Sequence, residues 1–249
     1  MDESLIEKQN GNFANTVLGA VPSVVYNEDC VEGLKRFSDN HFDLAIVDPP
    51  YGIDLGNNSD YFAYKGGVRG KKGLANDKKD WDKERPTDEY WNELFRVAKN
   101  QIIWGGNYFG LPAHRTFIVW DKMTYVPTMS QVEIAWTSFD SPARYVKINS
   151  NQLDRQHPTQ KPVALYRWLL TNYAKPGDRI LDTHGGSMSS AIACHDLGFD
   201  LDICELDPDY FKAGKERFER HVNRWAGLDL MIADTNDYSN LNTGLFAQQ

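Results

Sequence analysis

The sequence predicts an α/β fold: a single domain built on one open, doubly wound, mostly parallel sheet of about seven strands. Two observations favour it. Short apolar runs alternate with helical segments along the whole chain, and residues 43–47 form an apolar run of the kind found in strands covered on both faces. A chain of 249 residues is long enough for one domain with a substantial core and too short for two large ones.

The elements follow in order from these patterns. The predicted strands are short apolar runs bounded by turn residues, at 23–26, 43–47, 102–104, 116–120, 131–136, 179–181 and 201–204. The predicted helices each have a cap or proline near one end: 31–37 after Asp29, 87–98 capped by Thr87, 162–173 opened by Pro162, 187–198 closed by Gly198, and 208–225 opened by Pro208. The run 131–136 alternates enough for antiparallel pairing at a sheet edge. The sequence therefore divides into an arm (1–22), a domain (23–225) and a polar tail (226–249).

Composition and charge restrict the class of protein. The chain shows no leading basic-then-apolar signal segment and no run of eighteen apolar residues, so we expect a cytoplasmic protein without a membrane span. Its three cysteines have neither paired nor metal-type spacing, so we expect no metal site. The net charge of −8 argues against a protein that coats nucleic acid, but it does not exclude a local basic face.

The basic face is predicted in the connection 52–85. It carries Lys65, Arg69, Lys71 and Lys72 among aromatic residues, and unstructured connections of that length are typically functional or disordered. A solvated loop is the alternative interpretation.

The apolar run 43–47 leads directly into Asp48-Pro49-Pro50-Tyr51. Two prolines alone would merely end a strand, because proline donates no hydrogen bond to the ladder. A rigid segment that also holds an acid and an aromatic ring at the end of a core strand is typical of a functional site.

A second site is predicted around "RILDTHGGSMSSAIA" (179–193), which indicates a strand, a glycine turn and a helix. Glu205 follows Asp182 by 23 residues, at the end of the next strand, where a carboxylate can accept from both ribose hydroxyls. The G-x-G-x-x-G pattern of dinucleotide sites is absent, which favours a nucleoside without phosphates, such as S-adenosylmethionine. A packing turn with a helix-capping acid is the alternative.

The chain order also predicts where these groups meet. The strands ending at Asp48 and Asp182 should lie side by side where the sheet reverses its direction of growth, and ligands of open α/β sheets bind there.

Four motifs, "DPPY" (48–51), "HPTQKP" (157–162), "LDTHGGS" (181–187) and "ELDP" (205–208), together resemble the amino-group DNA methyltransferases, which methylate adenine N6 or cytosine N4. Their order is similar to that of the permuted β group, in which the catalytic motif precedes the cofactor motif. "NEDCVEGL" (27–34) resembles the family's short motif that holds the cofactor's adenine. The resemblance covers about residues 23–220 and implies the Rossmann-like fold of S-adenosylmethionine-dependent methyltransferases.

The resemblance implies a substrate, a cofactor and roles for residues. Asp48 and the Pro49 carbonyl would accept the hydrogens of the target amine, Pro50 would hold them rigidly, and Tyr51 would stack on a base flipped out of double-stranded DNA. The connection 52–85 would recognise DNA. A homodimer and a restriction endonuclease partner both stay open. The cofactor, S-adenosylmethionine, would be bound by Asp29, Cys30, Asp48, Thr159, Lys161, Asp182, His184, Gly186, Ser187 and Glu205. For Lys161 two interpretations stay open, a contact with the cofactor's carboxylate and a purely structural loop.

Two features leave alternatives open. The acid in "DPPY" favours adenine, because the cytosine-N4 enzymes more often resemble "SPPY". The family's cofactor turn usually reads D-P-F-x-G-S-G-T-T, whereas this chain has His184 for Phe and Met188 for Gly. We expect the Met188 side chain to lie near the methionine end of the cofactor and to weaken its binding. A methyltransferase-like module that binds DNA or a partner without turnover is therefore the alternative to an enzyme.

Overall fold

The computed structural model describes residues 23–53, 82–125, 130–150 and 159–237, with side chains placed as far as Arg224. The predicted arm, most of the connection 52–85 including Lys65, Arg69, Lys71 and Lys72, and the end of the tail lie outside these residues. None of the helices in the described ranges is long and apolar enough to cross a bilayer.

One eight-stranded sheet runs through the molecule in the order β1-β8-β7-β2-β3-β5-β4-β6. All strands of this sheet run in one direction except β5, which pairs antiparallel with β3 and β4. The strands are β1 Ser23–Tyr26, β2 Leu44–Val47, β3 Gln101–Trp104, β4 Phe117–Asp121, β5 Val132–Thr137, β6 Arg144–Lys147, β7 Arg179–Asp182 and β8 Asp200–Cys204.

Within the described ranges, five α-helices pack on the sheet: four lie between strands in the chain, and the fifth follows the last strand. They are α1 Cys30–Leu34, α2 Asp88–Val97, α3 Val163–Tyr173, α4 Ser189–Leu197 and α5 Pro208–Asp237. The predicted start signals act as expected: Asp29 accepts hydrogen bonds from the amides of Val31 and Glu32, Thr87 accepts one from Tyr90, and Gly198 ends α4 in the left-handed conformation.

Helices cover both faces of the sheet. Successive side chains of a strand point to opposite faces, so the uninterrupted apolar sequence of β2 makes both of its faces apolar and both are buried. On one face, Leu44 and Ile46 pack in a core shared with α3, α4 and α5. On the other, Ala45 and Val47 pack with the apolar sides of α1 and α2. All four residues of β2 are 0–1% exposed, which explains its uninterrupted apolar sequence.

The largest differences from the predicted elements are one additional strand and the lengths of two helices. The sheet has eight strands, because β6 was not predicted: only Val146 of its four residues is buried, so the sequence has no clear alternation. Helix α1 is shorter than predicted and ends at Leu34. Helix α5 is longer and continues to Asp237, through residues predicted to belong to the tail.

The topology confirms the predicted meeting point. Strands β2 and β7 are parallel neighbours, and from them the chain builds outward to β3 on one side and to β8 on the other. Asp48 and Asp182 therefore lie at the same edge of the sheet, at its switch point.

Candidate active site at the carboxyl edge of the sheet

A cavity of about 1050 Å³ opens above the carboxyl ends of β1, β8, β7 and β2. It is large enough for a nucleoside-sized ligand together with a second group. Its wall includes most of the residues predicted for the site: Asp29, Cys30, Asp48, Pro49, Pro50, Tyr51, Thr159, Lys161, His184, Gly186, Ser187 and Glu205.

The Asp48 carboxylate is held from both sides. The Tyr51 hydroxyl donates to its Oδ1 over 2.7 Å, and the Lys161 ammonium donates to its Oδ2 over 2.5 Å. Pro49 and Pro50 bring Tyr51 back over the acid because their rings restrict the backbone between the two residues. The acid and the phenol of the predicted motif thus form one hydrogen-bonded unit.

The Tyr51 ring is fixed by close packing. It stacks on Tyr108 with ring centroids 4.7 Å apart and an interplanar angle of 13°. Its edge lies so close to Gly105 that a Cβ atom there would overlap the ring. Gly105 also has a φ of +68°, so both space and backbone conformation require glycine at this position.

A buried carboxylate holds the backbone that follows the ring. Asp82 is 2% exposed, and its Oδ1 accepts hydrogen bonds from the amides of Tyr51 and Gly52, over 2.6 and 3.1 Å. Arg85 donates in turn to the Tyr51 carbonyl over 3.2 Å. The two described ends of the connection 52–85 are therefore tied together at the edge of the cavity.

Lys161 connects Asp48 to a second acid that sequence reasoning missed. Its ammonium lies 3.1 Å from Glu133 Oε2, and Lys122 lies 2.7 Å from Glu133 Oε1. Strand β5 runs against its neighbours, so its first residues reach the edge where the parallel strands end. This reversal places Glu133 beside the end of β2, in an alternating row of two acids and two lysines.

Burial and charge act in opposite directions on this row. Desolvation raises the pKa of Asp48, although Lys161 opposes it. Desolvation also acts to raise the pKa of Glu133, but its two lysines outweigh it and lower that pKa. For Lys161, burial acts to lower the pKa, but Asp48 and Glu133 outweigh it and raise it. The lysine is thus held charged inside the protein, 3% exposed, by the acids that it binds.

The position of Lys161 gives it protein partners inside the cavity wall. Its ammonium binds Asp48 and Glu133 and lies 5.3 Å from the centre of the Trp104 ring. The side chain thus compensates two buried acids and packs beside the Asp48–Tyr51 segment.

The glycine turn between β7 and α4 packs closely against the end of β8. The Gly185 amide donates to the Cys204 carbonyl over 2.7 Å, and a Cβ atom on Gly185 would lie 2.9 Å from Ile203. The Gly186 amide donates to Glu205 Oε2 over 2.7 Å, while Glu205 Oε1 accepts from Asp207 over 2.8 Å. Glu205 therefore joins the ends of β7 and β8.

Asp182 lies beneath this turn and does not line the cavity. It is 1% exposed and accepts hydrogen bonds from the Ser190 hydroxyl and the His184 amide, over 2.6 and 3.0 Å. Burial raises its pKa to about 7. Direct cofactor contact was predicted for Asp182, but its position supports the turn from below.

His184 lies on the cavity wall, beside Thr183 and Tyr90. Its Nδ1 lies 2.8 Å from the Thr183 hydroxyl, which also lies 2.8 Å from the Tyr90 hydroxyl. Burial lowers the pKa of His184 to about 4, so the ring is neutral at physiological pH. A neutral, flat ring therefore lies at this position.

Met188 does not line the cavity, contrary to expectation. It is fully buried in the core with α3, α4 and α5. With a φ of +58°, its side chain packs beneath the turn: a Cβ atom on Gly214 of α5 would come within 2.7 Å of Met188 Cγ, and one on Gly185 would lie 3.1 Å from Met188 Cε. The expected interference with a ligand therefore has no structural basis.

Comparisons with known proteins place these features in context. A family model described as "DNA methylase" matches residues 103–216. YubD of Escherichia coli (strain K12), provisionally assigned as a methylase, is 24% identical over 219 residues, which cover 76% of this chain and 87% of YubD.

Two solved structures share the architecture. The M1.HpyAVI–SAM complex has a TM-score of 0.52 and 20% identity, over 78% of this chain and 99% of that one. The cytosine-N4-specific PvuII DNA methyltransferase has a TM-score of 0.53 and 14% identity, and the match covers 81% of this chain and 90% of that enzyme's chain. These likenesses confirm the predicted fold class.

Proposed function

We propose that this chain, whose predicted resemblance to the amino-group DNA methyltransferases is confirmed by the family match and the shared fold, transfers a methyl group from S-adenosylmethionine to the N6 amino group of adenine in DNA. One observation carries the proposal: the Asp48–Tyr51 unit and the Gly186–Glu205 turn line the same cavity. An acceptor for an amine and a binding site for a nucleoside thus face a common space.

The cofactor side fits S-adenosylmethionine in its chemistry. Glu205 supplies a carboxylate for ribose hydroxyls, and a carboxylate accepts several hydrogen bonds at once, so anchoring the turn and binding a ribose are compatible. Asp29 and Cys30, after β1, would border the adenine, as the family motif implies. Glycine in such a turn permits a ligand to approach the backbone closely, because it has no Cβ atom. When bound, the cofactor supplies an electrophilic methyl group on a sulfonium.

The residues of the catalytic motif act on the target amine. An exocyclic amine is a poor nucleophile because its lone pair is delocalised into the ring. Asp48 and the Pro49 carbonyl would each accept one amine hydrogen, which makes the nitrogen more tetrahedral and directs its lone pair. Because burial raises its pKa, the Asp48 carboxylate is also suited to accept the proton that the methylated nitrogen releases.

Aromatic residues beside the acid would receive the base. Tyr51 and Tyr108 form a stacked pair on the cavity wall. Base stacking on an aromatic ring contributes about 1–3 kcal/mol, which offsets much of the few kcal/mol that flipping costs.

Adenine is proposed from Asp48, since an acid in the first position is typical of the adenine enzymes. Cytosine N4 is the second candidate, because the chain shares its fold with the cytosine-N4-specific PvuII enzyme. The alternative of a methyltransferase-like module without turnover rested on interference of Met188 with the cofactor. Because the Met188 side chain lies in the core, that argument loses its basis.

The test is single-turnover transfer of labelled methyl groups to DNA, read together with a cofactor titration. Asp48→Ala should lose transfer by about 10²–10⁴-fold and keep cofactor affinity, because the carboxylate acts on the acceptor. Wild-type transfer in this variant would exclude the mechanism. Sequencing the modified positions then decides between adenine and cytosine.

The DNA-binding part of the proposal concerns the connection 52–85, whose described ends are tied at the cavity. Neutralising Lys71 and Lys72 together should weaken DNA binding and reduce its salt dependence, by about 0.9 in logarithmic slope for each phosphate that is no longer neutralised. An unchanged affinity across several salt concentrations would assign DNA recognition to another part of the chain.

A further inference from the structure

Two imidazoles and a carboxylate meet on the helical face remote from the catalytic motif. His195 and Asp196 are in the last turn of α4, and His221 is on α5. One potential ligand atom from each lies within 4.8 Å of the other two. Their side chains are only 14–22% exposed, so the group sits in the seam between two helices.

We propose that His195, Asp196 and His221 bind a divalent transition-metal ion with the ligand preferences of Zn²⁺. The site is independent of the proposed methyl transfer.

The distances suit such an ion. Asp196 Oδ1 lies 2.7 Å from His221 Nε2 and 3.5 Å from His195 Nδ1. Ligand atoms about 2.0–2.1 Å from a tetrahedral ion are separated by about 3.3 Å, so small side-chain adjustments suffice. Imidazole nitrogen and carboxylate oxygen are ligands that zinc prefers, and water would complete the coordination.

A second observation comes from His195 itself. Its Nδ1 is buried and makes no hydrogen bond to any residue that the structure describes. Buried polar atoms are normally paired, so a nitrogen directed at a carboxylate oxygen without a bond calls for a partner. A metal ion between the two atoms would supply it.

The carboxylate is already oriented for this role. Both hydrogen bonds from Arg167, on α3, go to Asp196 Oδ2, while the two imidazoles face Oδ1. An outer partner that holds a ligand carboxylate in one orientation is a regular feature of metal sites. The positive charge of Arg167 lowers the affinity of the site for a cation, but Arg167 contacts the Asp196 oxygen that faces away from the proposed ion.

The ion would tie together the helices that frame the glycine turn. Helix α4 starts at the end of this turn, and α5 packs against it: Arg217 donates to the Ser187 carbonyl over 2.7 Å. Metal binding should therefore raise the thermal stability of the whole domain.

The experiment titrates metal-free, untagged protein with Zn²⁺ by calorimetry and then follows thermal unfolding. We expect one site and a higher Tm for the wild type. His221→Gln should weaken that binding by about tenfold or more and lose the Tm shift, because the amide can still donate to Asp196 but is a poor ligand. His114→Ala, which removes an exposed imidazole elsewhere, should behave like the wild type.

Two further measurements keep the proposal falsifiable. Asp196→Asn preserves shape and should also lose binding, which covers the case in which His221→Gln fails to fold. Co²⁺ should give the absorption of a tetrahedral complex in the wild type and not in the variants, and Mg²⁺ should not compete. No binding by the wild type, or equal Zn²⁺ affinity in both variants, would overturn the proposal.

Discussion

Replacing Lys161 with methionine tests whether the buried row of charges serves catalysis. The change keeps the volume of the side chain but removes the ammonium that binds both Asp48 and Glu133. Asp48 and Glu133 would then lie in one buried site without the lysine between them. Lys122 would still compensate Glu133, but it makes no ion pair with Asp48.

The expected magnitudes follow from that geometry. Removing one partner of a buried ion pair typically costs about 3–5 kcal/mol, a large part of the 5–15 kcal/mol that stabilises a domain. Lys161 opposes the upward shift that burial causes in the pKa of Asp48, so without the lysine this pKa rises further. At a given pH a larger fraction of Asp48 would then be protonated, and the protonated form accepts the amine hydrogen less well. We expect transfer to fall by about 10²–10⁴-fold and the rising limb of its pH profile to move to higher pH.

The assay measures single-turnover methyl transfer from pH 6 to 9 (roughly the range in which a raised carboxyl pKa is seen), with cofactor affinity and thermal unfolding at each pH. Lys122→Met is the matched control, since it contacts Glu133 but not Asp48. Adding Glu133→Gln to Lys161→Met should restore part of the activity, because it removes the second negative charge. A loss of cofactor affinity with an unchanged transfer rate would refute this reasoning and return Lys161 to the cofactor carboxylate.

Three further predictions concern the turn and the loop. Glu205→Gln should weaken cofactor binding by about 1.5–3 kcal/mol in calorimetry, because it removes a charged acceptor, and an unchanged affinity would place the ribose elsewhere. Asp82→Asn should keep most methyl transfer, since one oxygen accepts both amide hydrogen bonds, whereas Asp82→Ala should lose it; equal rates in the two variants would contradict this role. His184 has a lowered pKa of about 4, so its contribution to stability is present above pH 6.5 and is lost as the pH falls toward 4. As the pH falls through that range, the free energy of unfolding should decrease less for His184→Phe than for the wild type, by up to about 3 kcal/mol. Denaturant titrations at several pH values measure this difference. Parallel curves of unfolding free energy against pH for the two proteins would exclude the effect.

The site residues that lie at the ends of the parallel strands could be predicted from the sequence. Asp48, Asp182 and Glu205 each end a strand of the same direction, so local motifs and chain order suffice to bring them to one edge. Glu133 could not be assigned in this way, because it begins the only described strand that runs the other way. One signal was available: in the alternating run 132–137, Glu133 has the parity of Ala135 and Thr137, which are fully buried. A charge on the apolar side of a strand indicates a buried partner.

Other differences have a different physical origin. Contact of Asp182 with a ligand was predicted from its place at a strand end, but the depth of a side chain below a turn depends on packing from helices far along the chain. The burial of Met188 depends on a left-handed backbone, which the sequence signals at glycine and not at methionine.

The packing of Met188 against Gly214 restricts which residues these two positions can accept. A left-handed conformation costs a residue with a side chain about 1–2 kcal/mol, so glycine at position 188 would relax the backbone. It would also empty a buried volume, and truncation of a buried methionine costs about 2–5 kcal/mol. Gly214 cannot grow to fill that volume, because its Cβ would lie 2.6 Å from the Gly186 carbonyl oxygen. Replacing Met188 with glycine should therefore lower the stability of the domain, because the loss of buried contacts exceeds the relief of the backbone.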